Sequence, residues 1–320
     1  MKLIRAADLA RACSMSEAID AVAAGFVALS SGTANVPVRS SVPLRGGGVA
    51  LAMPASLEGS PYFSAKIVSV APGNRARGRS VINAAVLLGD SSTGETLAIL
   101  DGSALTALRT GAGGGVAARA LSREDSAVVA LFGAGAQART QLLAVAAVRP
   151  LREARVVARE PAHLAAFLVW AAAEPSLAGL AISASDPSHA IVGADIVITA
   201  TTSRTPVFDG AALASGAHIT AVGAFQPETR ELDEAAMRGA HVVVDQREAA
   251  LAEAGELRGL TAKDVVELGE VVAGTGRGRT SREERTVFKS VGNAIQDLVV
   301  AALAYERASE LDLGEDIRFP

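Results

Sequence analysis

A chain of 320 residues exceeds the usual size of one domain, so two domains around separate cores are expected, with length enough to bury both. Half the residues are hydrophobic, yet no uninterrupted apolar stretch reaches the roughly 18 to 20 positions of a membrane span. The single cysteine, Cys13, cannot close an internal disulfide, no Cys/His cluster has zinc spacing, and a net charge of -4 with both signs interspersed leaves no footprint for nucleic acid or anionic lipid.

The N-terminal segment MKLIRAADLARACSMSEAID is broken by Arg5, Asp8 and Arg11 and lacks the apolar run of a secretory signal, so a mature, soluble cytoplasmic protein is expected. Residues 15–31 carry apolar side chains at helical spacing and close on Gly32, predicting a surface helix. From Val36 to Leu100 the texture changes to short β-type runs, VPVRSSVPL, GVALAMPA, YFSAKIVSVA, AAVLLGD and TLAILD. The segment DSSTG at 90–94 predicts a hairpin turn and hence a mostly antiparallel sheet. Residues 104–121 predict a helix, in which Gly111 and Gly113 to Gly115 lower helix propensity and point to close backbone packing or a ligand.

After Ser126 the pattern becomes strand, turn and helix in repetition: VVALFGAGAQ, ARVVA before AHLAAFLVWAAA, ADIVITATT, AHITAVGA and HVVVD. Uniformly apolar strands alternating with helices predict a doubly wound parallel sheet of the Rossmann type. The last helix, near Val291 to Ala308, is amphipathic and is expected to return to the first domain. The expected organisation is therefore α/β: a discontinuous α+β substrate and dimerisation domain over 1–118 and 292–320, and a dinucleotide-binding domain over 119–291.

Within VVALFGAGAQA, Gly133, Gly135 and Ala138 stand at the G-x-G-x-x-G/A spacing between a strand and a helix expected over Arg139 to Val148. Gly133 permits the tight turn, Gly135 lets backbone approach a pyrophosphate, and Ala138 lets helix pack on strand, with the helix N-terminus attracting phosphate. The next strand, Ala154 to Ala158, ends in Arg159 and Glu160. Arginine suits the 2′-phosphate of NADP and an acid the 2′-hydroxyl of NAD, so NADPH is expected, with NADH as the alternative.

Three cations interrupt apolar settings: Arg39 in VPVRSSV, Lys66 in FSAKIVSVA and Arg109 in ALTALRTGAG. Each alone has the bland reading of a surface residue or ion-pair partner; together they could meet one carboxylate, with arginine giving bidentate geometry. Of the 30 basic residues 26 are arginine, which gives the four lysines, Lys2, Lys66, Lys263 and Lys289, a slightly stronger claim to be needed as lysine.

The segments PVR around Arg39, KIVSVAPGN, TGETLAILDGSALTALRTGA, GAGAQA, ITATTSRTPVF and VFKSVGNAIQDL resemble the ornithine cyclodeaminase and mu-crystallin family over essentially the whole chain. The resemblance implies a Rossmann domain plus a dimer-forming β-domain with substrate at their interface, and a homodimer. It makes Arg39, Lys66 and Arg109 the ligands of a substrate carboxylate, with Lys66 and Arg109 the catalytic candidates. It also implies that Thr110, the turn with Gly133, Ala134, Gly135 and Gln137, the strand end Thr199, Ala200 and Thr201, then Val222, Ser290 and Gly292 line the dinucleotide. Where cyclodeaminases have an aspartate in VGGDxPGKxEL, this chain reads VGAFQPETREL with Phe225 in its place. Phenylalanine moves no protons and pairs with no ammonium, whereas it packs on an apolar ring. The VGAF form is similar to family members that reduce Δ1-pyrroline-2-carboxylate and Δ1-piperideine-2-carboxylate to L-proline and L-pipecolate. The expected partner is thus a cyclic imino acid or an amino acid. The alternatives are an alanine-type dehydrogenase, an ornithine cyclodeaminase, and a non-catalytic NADPH-binding protein of the mu-crystallin kind.

Overall fold

Contacts in the computed structural model, which describes residues 1–318, divide the chain into two units: Met1–Arg109 with the chain from Asn293 onward, and Thr110–Gly292. The division falls inside the helix expected over 104–121, between Arg109 and Thr110, and not after residue 118. The last two residues of the expected segment 292–320 lie outside the described residues.

The first unit opens with strand β1 (Lys2–Ile4), helix α1 (Ala6–Ala12) and helix α2 (Met15–Ser30). Ser14 starts α2 in a reciprocal cap: its Oγ accepts the Glu17 N–H at 3.2 Å, and its own N–H donates to the Glu17 carboxylate at 3.1 Å. Strands β2 (Ala34–Asn35), β3 (Ser40–Leu44), β4 (Gly48–Leu57), β5 (Tyr62–Val70), β6 (Ile82–Asp90) and β7 (Thr96–Asp101) pair antiparallel, β3 to β7 in chain order and β2 with β4, and β1 joins β7 in parallel. Asp90 builds the β6–β7 turn by accepting the N–H groups of Ser92 and Thr93 at 2.8 and 2.9 Å. Arg39 does not interrupt a strand as expected; it precedes β3, because Pro37 has no N–H to give a ladder and pairing begins at Ser40. Alternation along β5 buries Ser64, Lys66 and Val68 on one face and leaves Ile67 56% exposed on the other. Helix α3 (Gly102–Leu121) runs from this unit into the second.

In the second unit β8 (Val128–Phe132), α4 (Ala136–Val148), β9 (Glu153–Val157), α5 (Pro161–Ala173), β10 (Ala181–Ala184), α6 (Pro187–Ile191) and β11 (Ile196–Thr199) form the first half. The second half comprises β12 (His218–Ala221), α7 (Glu234–Met237), β13 (His241–Val244), α8 (Arg247–Glu253), β14 (Val266–Glu267), α9 (Leu268–Val272) and β15 (Thr286–Lys289). The sheet order is β10-β9-β8-β11-β12-β15-β13-β14, parallel throughout. The chain winds outward from β8 to β10, then crosses to β11, so its direction of winding reverses between β8 and β11, where open α/β sheets bind ligands. Central strands β11 and β12 are buried at every position, which explains their mostly apolar sequence; the polar exceptions, Thr199, His218 and Thr220, are buried too. Strand β10 carries no such run because it is an exposed edge. The glycines of α3 serve close approach: a Cβ on Gly111 would lie 2.6 Å from the Thr140 carbonyl oxygen, and one on Gly114 would overlap Gln141, both on α4.

Helix α10 (Ala294–Glu310) returns to the first unit, packs on β4, β5, β6 and α2, and leads to β16 (Glu315–Asp316) at the sheet edge beside β1. Among the described residues no single helix is long and apolar enough to cross a membrane.

Candidate functional site

Each unit carries candidate site residues of its own. In the first, Lys66 projects from β5 toward α10 and is 2% exposed, and Arg109, on α3, is 6% exposed. Between them α10 places Asp297, fully buried, with Lys66 Nζ at 2.6 Å from Oδ2 and Arg109 Nε at 3.1 Å from Oδ1. Gln296 fixes Arg109 from both ends: its Oε1 accepts from Nη1 at 3.0 Å, and its Nε2 donates to the Arg109 carbonyl at 3.3 Å. Burial pushes the Lys66 ammonium down to about 8, against the pull of Asp297; the fields of Arg109 and Arg39 add to the lowering. The buried lysine thus has its anion inside the protein, a partner that sequence reasoning did not supply. Ser64 Oγ on the same face of β5, Thr106 Oγ1 one turn before Arg109, and the side-chain polar atoms of Asn293 one turn before Asp297 are buried without hydrogen-bond partners among the described residues. So many unpaired polar atoms in one unit suit a polar ligand or water.

In the second unit the turn after β8 has the form a dinucleotide requires. Gly133 takes φ +116°, and a Cβ there would overlap the Ala200 carbonyl at the end of β11. Gly135 caps α4, and a Cβ added to it would meet nothing within 4 Å, which leaves room for a phosphate at the helix N-terminus. That helix starts at Ala136, three residues before the expected Arg139, so its first N–H groups lie within the glycine turn. In the same first turn Gln137 Oε1 is buried without a hydrogen-bond partner among the described residues. These residues fit a bound dinucleotide. Beyond β9, Arg159 has its side chain 78% exposed and lies 3.4 Å from Glu160.

Two buried carboxylates hold the neighbouring loops. Glu231 accepts from Thr199 Oγ1 at 2.9 Å and from Thr201 N–H, Thr201 Oγ1 and Gly223 N–H at 2.7 Å each, tying the end of β11 to the loop after β12. The Thr199 and Thr201 side chains are therefore committed to Glu231. Val222 N–H is bound to the Thr199 carbonyl at 2.9 Å. Asp245, at the end of β13, accepts from Ser290 Oγ, Val291 N–H and Gly292 N–H at 2.8, 3.0 and 2.6 Å. Burial pushes its carboxyl up, and these donors oppose the shift. Thr110 receives Gln141 Nε2 on its carbonyl at 2.8 Å. Lys289, also buried, donates to the Ala224 carbonyl at 2.6 Å and pairs with Glu256 at 3.4 Å, next to Phe225, which is 38% exposed.

Asp297, Glu231 and Asp245 were missed by sequence reasoning. A signal existed for the first: Asp297 shares its helical stripe with Val300, Ala301, Ala304 and Ala308, and a carboxylate on an apolar stripe needs a buried cation.

A parallel sheet that reverses at a glycine turn, joined to a unit with a buried cation pair, defines a two-domain α/β protein of the Rossmann class. The model of the ornithine cyclodeaminase/mu-crystallin family matches residues 2–312, and the chain belongs to that family. It is 39% identical over 328 aligned residues to a Delta(1)-pyrroline-2-carboxylate reductase of Bacillus cereus, covering 100% of both chains. Among solved structures it is similar to Thermococcus litoralis Delta(1)-pyrroline-2-carboxylate reductase in complex with NADH and L-proline, with a TM-score of 0.92, 38% identity and coverage of 99% and 100%. It is also similar to an archaeal alanine dehydrogenase dimer with bound NAD, at a TM-score of 0.92, 33% identity and coverage of 100% and 99%.

Proposed function

We propose that this chain is a nicotinamide-dependent reductase of cyclic 2-imino acids, converting Δ1-pyrroline-2-carboxylate or its six-membered homologue to L-proline or L-pipecolate. The observation that carries the proposal is the buried Lys66 and Arg109 pair, a carboxylate-binding set, in a chain that has Phe225 where a cyclodeaminase has its proton-moving aspartate. The full-length likeness to Δ1-pyrroline-2-carboxylate reductases supports it.

Arg109 supplies the planar fork for the substrate carboxylate, and Lys66 and Arg39 supply further positive charge. The turn from Gly133 to Gln137 binds the pyrophosphate, with Thr110, Ala200, Val222 and the Ser290–Gly292 loop lining the rest of the dinucleotide. When bound, the nicotinamide supplies the hydride that adds to the imine carbon. Lys66, with its pKa near neutrality, gives a proton to the ring nitrogen as the C=N bond is reduced, and solvent restores that proton. Arg159, exposed after β9, favours the 2′-phosphate of NADPH, while Glu160 leaves NADH usable. The single cysteine suits a reducing compartment, and a cytoplasmic homodimer is part of the proposal. Val42, Leu44 and Ile67 are exposed on the sheet face opposite Lys66, an apolar surface of the kind that a second subunit covers.

Steady-state assay of the purified protein with NADPH or NADH and Δ1-pyrroline-2-carboxylate tests the reading. Oxidation of the nucleotide without added ammonia is expected, and a rate no higher than background refutes it. The likeness to alanine dehydrogenase favours a second reading, reductive amination of pyruvate. Strict dependence on ammonia would select that reading instead.

A further inference from the structure

Substrate binding and cofactor binding, as assigned above, leave Asp297 without a role. A fully buried carboxylate is stable only when paired, and replacing such a group by an apolar residue often stabilises a protein. The other residues of its stripe on α10, Val300, Ala301, Ala304 and Ala308, only pack. Asp297 stands between two cations that point to one site, 2.6 Å from Lys66 Nζ and 3.1 Å from Arg109 Nε. Without it, two buried cations would repel each other at close range, and the lysine would shed its proton. A neutral lysine neither attracts a carboxylate nor donates a proton.

From this geometry we infer that Asp297 is a positioning residue for the imine reduction: it keeps Lys66 protonated and sets the Lys66 ammonium and the Arg109 guanidinium at the places from which they grip one carboxylate. The inference rests on the proposed reaction. Arg39, Lys66 and Arg109 count three positive charges against one negative, so the cluster stays cationic for an incoming anion even with Asp297 ionised. The groups that face Lys66 are Asp297 from α10, Arg109 from α3 and Arg39 from the loop before β3. Strands β4 and β6 place uncharged Met53 and Val86 beside it. Burial, Arg109 and Arg39 all drive the proton off, and among these groups only Asp297 holds it on.

The test is the pH dependence of kcat/KM for the intact enzyme and its Asp297→Asn and Asp297→Glu variants. In the native enzyme activity falls as rising pH deprotonates Lys66. In Asp297→Asn that fall moves to lower pH by about one unit or more, and KM for the imine rises about tenfold, a unit of pKa being a tenfold change in equilibrium. In Asp297→Glu the retained charge returns the fall toward its native position. A role in packing alone would lower activity at every pH with the fall in place, and that result overturns the inference. Should Asp297→Asn not fold, Asp297→Glu decides: with the negative charge retained the fall stays near its native pH, whereas a fall moved down by about one unit or more overturns the inference. A second readout is independent of turnover. The chain has four lysines, so protein labelled with carbon-13 at lysine Cε gives four signals, with Lys66 identified by its loss in Lys66→Met. Its titration midpoint, near 8 in the native protein, moves down in Asp297→Asn. An unmoved midpoint overturns the inference, and a native enzyme inert toward the imine refutes the reaction while the lysine titration still reports on Asp297.

Discussion

Lys66 illustrates how one residue type in an unexpected setting carries information. A lysine in the middle of an apolar strand demands an anion, and the demand was legible in FSAKIVSVA; the identity of the anion was not. Arg109 was legible for the same reason, as a cation in a nearly uncharged helix. Its effect is predicted to be on binding. Arg109→Met should raise KM for the imino acid about 10- to 100-fold, in line with about 1.5–3 kcal/mol for charged hydrogen bonds, with a smaller change in kcat. Steady-state kinetics at fixed nucleotide concentration measures this. Phe225 gives a prediction in the opposite chemical sense. Phe225→Asp replaces an apolar surface by a charge and should lower kcat/KM for the ring imine about tenfold or more, with competition by ornithine as a second readout.

At the scale of elements, the glycine turn was the part most fully readable, because its chemistry is local: strand, turn and helix succeed one another within a few residues. The structure adds the reason that position 133 tolerates only glycine. Gly133→Ala would put an L side chain at φ +116° and against the Ala200 carbonyl, so a loss of about 1–3 kcal/mol in stability is expected, along with weaker dinucleotide binding. Thermal melting with and without nucleotide separates the two effects. Strand β12 yields a pH prediction. His218 is fully buried, with Nδ1 2.9 Å from Thr286 Oγ1 and Nε2 3.0 Å from Thr220 Oγ1. Burial, then the fields of Arg279 and Arg149, push its pKa from 6.5 down to about 3. The unfolded chain therefore binds a proton between pH 6.5 and 3 that the folded chain refuses, so stability falls as pH drops through that window. Urea unfolding at pH 7 and pH 5 should show about 2 kcal/mol of loss from this group, absent in His218→Gln. Strands β10, β14 and β15 were not legible as strands: two are short edge or near-edge pieces, and VFK of β15 stands among polar residues.

For the whole molecule, the two sheets obey different rules that the sequence displays openly. The central strands of the parallel sheet are buried at every position and mostly apolar, and the antiparallel sheet alternates along β5, with Lys66 on the face toward α10 and Ile67 on the other. That second face gives the prediction at this scale. Ile67→Asp should shift the proposed homodimer toward monomer in sedimentation, leaving the circular dichroism spectrum unchanged; an undiminished dimer in the variant would place the interface elsewhere. What the sequence determined by itself was what depends on neighbours along the chain: helix and strand period, the glycine turn, the isolated cations and the Phe225 departure. Only the tertiary structure decided which carboxylate answers which cation or loop. Asp297 for Lys66 and Arg109, Glu231 for the β11 strand end, and Asp245 for Ser290–Gly292 are pairings across long stretches of chain. Charge attraction acts through space, and no period or spacing in the sequence records the distance that folding removes.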